Sequence, residues 1–238
     1  MKLKLFLLVT TLCFMSCSPL KKWQNVESKT AGLGAIGEAT DDLFTKGFRK
    51  VGEPKLSTPI SVHIHSVPFT KSSYSKYKKY KEHLGEEVNV QFNDSLESAP
   101  RFFQLRITDI VRLKQDLNRE MNQVMLDYLE DDPGLELLTE ISLVSDTPQE
   151  SILTKATQAQ LIQKGDRVYL EVRNNGTFIQ LETSIMEIFD YETAGFCWQL
   201  NQRSRPEIST ILVNGQSCPK GTEKKAKKLD VSFDYLKL

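Results

Sequence analysis

Apolar and polar positions alternate in three stretches of the first half of the chain. In 58–69, Ile60, Val62, Ile64 and Ser66 fall on one face, and His63, His65 and Val67 fall on the other. A period of two predicts a half-buried strand. In 87–93, Val88, Val90 and Phe92 alternate with polar residues, and in 101–108 Phe103, Leu105 and Ile107 do the same. Three such strands in close succession are most simply paired antiparallel.

The period then changes. From 109 to 130, Ile110, Leu113, Leu117, Met121, Val124, Met125 and Leu129 recur at steps of three and four, which predicts one long helix. Asp132-Pro133-Gly134 ends it. Residues 135–144 carry no clean period and are compatible with a short helix followed by a strand. A second helix is expected over 148–163, with Thr147 as its cap and Pro148 in its first turn. Strand patterns return at 167–173 and 177–182, around the hairpin signal Asn174-Asn175-Gly176. Further strands are expected at 186–191, 196–201, 208–213 and 231–236. Residues 36–48 place Ile36, Leu43, Phe44 and Phe48 on one helical face, but nearby glycines weaken that helix. It reads as a docking segment or as a poor surface helix.

Strands, helices, then many strands predict an α+β fold of antiparallel sheets, sandwich-like, with one long and one shorter helix between two strand groups. The expected divisions are 1–16, 17–57, 58–146 and 147–238, and 58–238 is nearly as well described as one domain.

The N-terminus fixes an address. Lys2 and Lys4 precede an apolar run over 5–15, which covers about half the length needed to span a bilayer. An export signal fits that length better than a spanning helix. Ser16 and Cys17 follow. The segment Leu12-Cys13-Phe14-Met15-Ser16-Cys17 resembles the lipobox of bacterial lipoproteins, with Phe14 and Met15 departing from its commonest form. The resemblance implies a diacylglycerol on the Cys17 thiol and an acylated new N-terminus, an anchor of two or more chains. In lipoproteins of Gram-negative bacteria Asp after the cysteine means retention at the inner membrane, so by the same resemblance Ser18 implies sorting to the outer membrane. The next residues, Pro19-Leu20-Lys21-Lys22-Trp23, are basic rather than acidic, which points to its periplasmic face. Lys21, Lys22 and Trp23 suit either a headgroup-level position or a solvated tether.

Composition narrows the classes. The chain has 31 basic and 31 acidic side chains, and cleavage before Cys17 removes two lysines and no acid. Near-neutral charge argues against general nucleic-acid binding. After Cys13 leaves with the signal and Cys17 is spent on lipid, Cys197 and Cys218 remain. In an oxidising compartment they are expected to pair, closing a loop of about twenty residues that contributes roughly 3 kcal/mol.

Two further constellations carry candidate chemistry. His63 and His65 project from one strand face, and His83 is the third ligand that a zinc or copper site would need. The same pair is equally at home on the solvent face of an edge strand. In 71–81, Tyr74, Tyr77 and Tyr80 recur every three residues among Lys76, Lys78, Lys79 and Lys81. That segment is either a surface for an anionic glycan or lipid, or an amphipathic helix whose tyrosines pack inward while its lysines snorkel. No serine-nucleophile elbow, phosphate-binding glycine loop or zinc-protease helix occurs. No cofactor is expected. The expectation is therefore a non-enzymatic accessory or scaffold subunit of an envelope assembly, with the membrane and another envelope protein as partners. A metal-dependent hydrolase or metal carrier built on the histidines is the third possibility.

Overall fold

The computed structural model describes residues 31–41, 46–93, 99–145 and 147–229. The expected strand at 231–236, Cys17 and the basic stretch behind it lie outside the described residues. Among the described residues, no helix is long and apolar enough to cross a membrane.

Ten strands and four helices are described. The strands are β1 (Ile36–Asp41), β2 (Lys46–Gly52), β3 (Ile60–Pro68), β4 (Arg101–Ile107), β5 (Leu135–Val144), β6 (Gln158–Lys164), β7 (Arg167–Asn174), β8 (Thr177–Leu181), β9 (Glu187–Leu200) and β10 (Pro206–Leu212). The helices are α1 (Lys71–Leu84), α2 (Ile110–Leu117), α3 (Gln123–Asp131) and α4 (Thr147–Thr154). All pairings are antiparallel, and one open path runs β10-β9-β5-β4-β3-β6-β7-β8. The expected α+β antiparallel class is what the structure shows, with the strands joined in one sheet rather than stacked as two separate ones.

β5 is the hub. Along one edge it pairs with β9; the other edge is shared, with Glu140 to Leu143 facing β4 and Leu135 to Leu137 facing β1. Nearly every β5 side chain is buried. Burial on both faces removes alternation, which is why its sequence carries no period. The segment is a single strand, not a short helix followed by a strand.

The segment 36–48 is also not a helix. It supplies β1 and the start of β2, paired from Ile36 opposite Gly52 to Asp41 opposite Lys46. Gly37 makes this possible, because a Cβ there would lie 2.2 Å from the Arg49 carbonyl oxygen. Just before it, residues 31–35 are buried and thread the interior. The Leu33 amide donates to Thr183 Oγ1 at 3.0 Å, and the Gly34 amide donates to the Leu138 carbonyl at 2.9 Å.

The long helix over 109–130 is broken in two. Asp109 caps α2 by accepting from the Arg112 amide at 3.1 Å. The chain then turns through a 3₁₀ segment, Glu120–Asn122, before α3. Asn122 is buried there, and its amide side chain bonds the Lys55 amide and carbonyl and the Asp116 carbonyl. Buried Asp116 accepts from the Ser57 amide at 3.0 Å and from its hydroxyl at 2.5 Å. These bonds to 55–57 fix the break where the 3.6-residue period runs on unbroken. The second helix is shorter than 148–163, because 158–164 pairs with β3 and β7 as β6. Residues 87–93 form no strand. The two expected strands at 186–191 and 196–201 are one, β9, whose first half pairs with β5 and whose second half pairs with β10.

The expected hairpin is present: β7 and β8 flank Asn175 (φ 49) and Gly176 (φ 84), the left-handed pair that a tight two-residue turn requires. The main core lies on the inner face, gathering Ile60, Leu105, Ile141, Leu143, Leu161 and Leu170 with Leu113 and Leu117 of α2. It draws residues from before and after position 146 alike.

Candidate functional site

The outer face of β3, β4, β5 and β9 divides into two halves. Register places one row across it as His63, Arg106, Glu140 and Glu192, and the next as His65, Gln104, Ser142 and Asp190. Directly paired residues share a face, so each row is a continuous stripe of side chains. Beyond these rows the residues turn apolar, with Phe102 and Phe189 buried.

α1 roofs the apolar half. Thr70 caps it, its hydroxyl accepting from the Ser73 amide while the Ser73 hydroxyl accepts from the Thr70 amide. Phe69 sits at the centre of the contact, with ring centroids 4.8 Å from Phe102, 5.7 Å from Phe189, 5.6 Å from Tyr77 and 5.9 Å from Tyr74. Val88, Val90 and Phe92 from the following loop pack onto this cluster. Their alternation is therefore a packing pattern and not a strand.

The tyrosine–lysine segment is mostly committed to this roof. Tyr77 is buried, and Tyr74 donates to the Val90 carbonyl at 2.9 Å and stacks on Phe92. Lys81 is buried too, its ammonium 2.9 Å from Glu187 and 3.1 Å from Glu86. Desolvation works to lower the Lys81 pKa, but its bonds to Glu187 and Glu86 outweigh that and raise it. Burial, with the charges of Glu187 and Glu86, pushes the Tyr80 phenol up to about 12. Burial and Glu187 push the Tyr77 phenol higher still. Lys76 reaches Asp190 at 2.5 Å, tying the helix to the second row. Lys78 and Lys79 are exposed, Lys78 standing 3.6 Å from Glu82. The amphipathic-helix alternative is thus what the segment adopts, and a single stripe of all seven residues is not presented to a ligand.

The other half is open. Where β9 turns from β5 toward β10, a cleft of about 650 Å³ is lined by Gln104, Arg106, Thr139, Glu140, Glu192 and Thr193, with Ile110 and Val213 among its apolar walls. Glu140 is buried and Arg106 Nε binds its Oε2. The threonines serve the frame: Thr139 donates to the Glu192 carbonyl at 3.2 Å, and Thr193 donates to Glu136 at 2.5 Å. Glu192 is exposed.

His63 and His65 stand side by side on this face as expected, ring centroids 4.1 Å apart and both exposed. His83 lies in the last turn of α1, exposed, and is not gathered with them. Among the described residues, no group of three His, Cys, Asp or Glu side chains could hold a metal ion. The strand spacing correctly aligned two rings, but the capped course of α1 carries the third away.

Cys197 and Cys218 form the expected disulfide, with Cα atoms 5.6 Å apart. Beside it the Trp198 and Glu223 backbones exchange hydrogen bonds of 2.7 and 3.0 Å, so the C-terminal segment is pinned to β9 twice. The cleft residues Arg106, Glu140 and Glu192 carried no motif. They belong to three separate strands, and only cross-strand register brings them into one row. No family model matches the chain, and no curated protein matches it significantly, so the site stands on its own geometry.

Proposed function

We propose that this chain is an exported, lipid-anchored envelope protein, held through Cys17 at the periplasmic face of the outer membrane. There it acts as a non-enzymatic accessory or scaffold subunit of a membrane-associated assembly. The observation that carries this reading is the order at the N-terminus: basic pair, short apolar run, Ser16, Cys17. The Cys197–Cys218 disulfide supports it independently, because such bonds persist in oxidising compartments. A surface for a protein partner is available on α3 and the 3₁₀ segment before it. Val124 and Tyr128 are well exposed and Met121 partly so, at steps of three and four, between the exposed acids Glu120, Asp127 and Asp131.

The test is metabolic labelling with an alkyne fatty acid, comparing the natural chain with Cys17→Ser. Label on the natural chain alone, with the variant released from the membrane fraction, is the expected result. Equal labelling of both overturns the anchor. Solubilisation in mild detergent then addresses the scaffold role: a co-migrating membrane protein is expected, and a lone monomer counts against it.

A further inference from the structure

The open cleft has a chemistry that the anchor does not use. Three charged groups lie in register across β4, β5 and β9: Arg106, Glu140 and Glu192. Arg106 and Glu140 neutralise one another, and that pair uses Nε of the guanidinium. The two terminal nitrogens keep their donors, and no hydrogen bond occupies them among the described residues. Pinning one edge of the planar fork aims the other, so little side-chain entropy remains to be lost on binding. Glu192 is exposed and meets no cation among the described residues. The row therefore carries one net negative charge at one end and a held guanidinium two strands away.

Strand spacing sets the scale. Arg106 and Glu192 are two steps of about 4.8 Å apart across the sheet, so their backbones are separated by roughly 10 Å. Both side chains are long, and Glu140 stands between them in the row. An extended dipeptide spans about 7 Å. The cleft's volume of about 650 Å³ also falls within the range of small-ligand sites, and Ile110 and Val213 supply apolar wall.

We infer that this cleft binds a short zwitterionic peptide, its α-ammonium on Glu192 and its terminal carboxylate on the free nitrogens of Arg106. Gln104, adjacent on β4, offers an amide to the peptide bond between them. A carboxylate on a guanidinium and an ammonium on a carboxylate are both charge-assisted bonds, and together they fix the direction in which the peptide lies. This site is independent of the lipid anchor and of any partner protein, so its test can fail without touching that proposal.

The experiment is titration of the folded chain, signal removed and disulfide intact, followed by amide chemical shifts. The probe is Ala-Ala, with N-acetyl-Ala-Ala, Ala-Ala amide and glucose in parallel. Ala-Ala should shift resonances around Gln104, Arg106 and Glu192, with affinity at least ten-fold above each blocked form and with no response to glucose. Glu192→Gln, an exposed change with no packing consequence, should lose about ten-fold for Ala-Ala and nothing for the acetylated form. Arg106→Gln should lose the preference for the free carboxylate; because it strands Glu140, its fold is checked by thermal melting, and Glu192→Gln decides the matter if it melts early. Absence of shifts at 10 mM Ala-Ala, equal binding of the acetylated or amidated forms, or an equal response to glucose each overturns the proposal.

Discussion

The two halves of the outer sheet face are made by the same strands and differ only in what the rows carry. One half sets Phe102 and Phe189 against Phe69 and Tyr77, and α1 closes over it. The other sets His63, Arg106, Glu140 and Glu192 in a row and stays open. Aromatic rows release free energy when covered, whereas a charged row would have to be desolvated. The boundary is marked by Lys76 on Asp190 and by Lys81 between Glu187 and Glu86, where the helix meets the charged side with charges of its own. Cover on this face follows residue type row by row, and the uncovered part is where a ligand has room.

The strongest way to break that contrast is Phe69→Ala. Phe69 is 4% exposed and touches four rings, so its loss should cost roughly 3–5 kcal/mol. Urea unfolding measures it, and a loss under about 1 kcal/mol would mean that the aromatic cluster does not hold the roof. On the open side, Arg106→Gln strands the buried Glu140 carboxylate and should cost about 1–3 kcal/mol. Replacing both Arg106 and Glu140 by Leu should recover most of that. A double variant as unstable as the single one would show that the pair is not the source of the cost.

The smallest effect separates the halves by pH. The fold holds Tyr77 and Tyr80 protonated above the usual phenol pKa of 10.0, and it also holds Lys81 charged. Each of these folded-state values is raised, so their contribution is complete below about pH 10 and is lost as pH climbs through about 12 for Tyr80. Amide protection, taken relative to the base-catalysed rate of an unfolded chain at the same pH, should fall in α1 before it falls in β4 and β5. A simultaneous fall in both would remove the distinction.

What could be read from the chain beforehand follows where free energy is decided. β3, β4 and the β7–β8 hairpin were legible because each exposes one face, so period two and the Asn-Gly turn record their state directly. The disulfide was legible from cysteine arithmetic, which left Cys197 and Cys218 as an even pair. β5 was not, since burial on both faces leaves no polar phase to read. The strand at 36–41 was hidden because its apolar spacing also fits a helix, and only the Gly37 approach to Arg49 and the pairing with β5 decide for a strand. The break before α3 rests on Asn122 gripping Lys55, a contact between residues far apart in sequence. The cleft was invisible for the same reason: register between strands is a property of the fold.

The buried thread at 31–35 has a mechanical consequence. With lipid on Cys17, only residues 18–30 would separate the bilayer from this thread, a leash of about 45 Å at full extension. The chain turns at Leu33–Gly34 before β1 begins, so tension on that leash would first meet the bonds of Leu33 to Thr183 and of Gly34 and Ala35 to Leu138. A body moored in this way takes the pull through buried residues, and Thr183 and Leu138 would bear it before the β1–β5 pairing does.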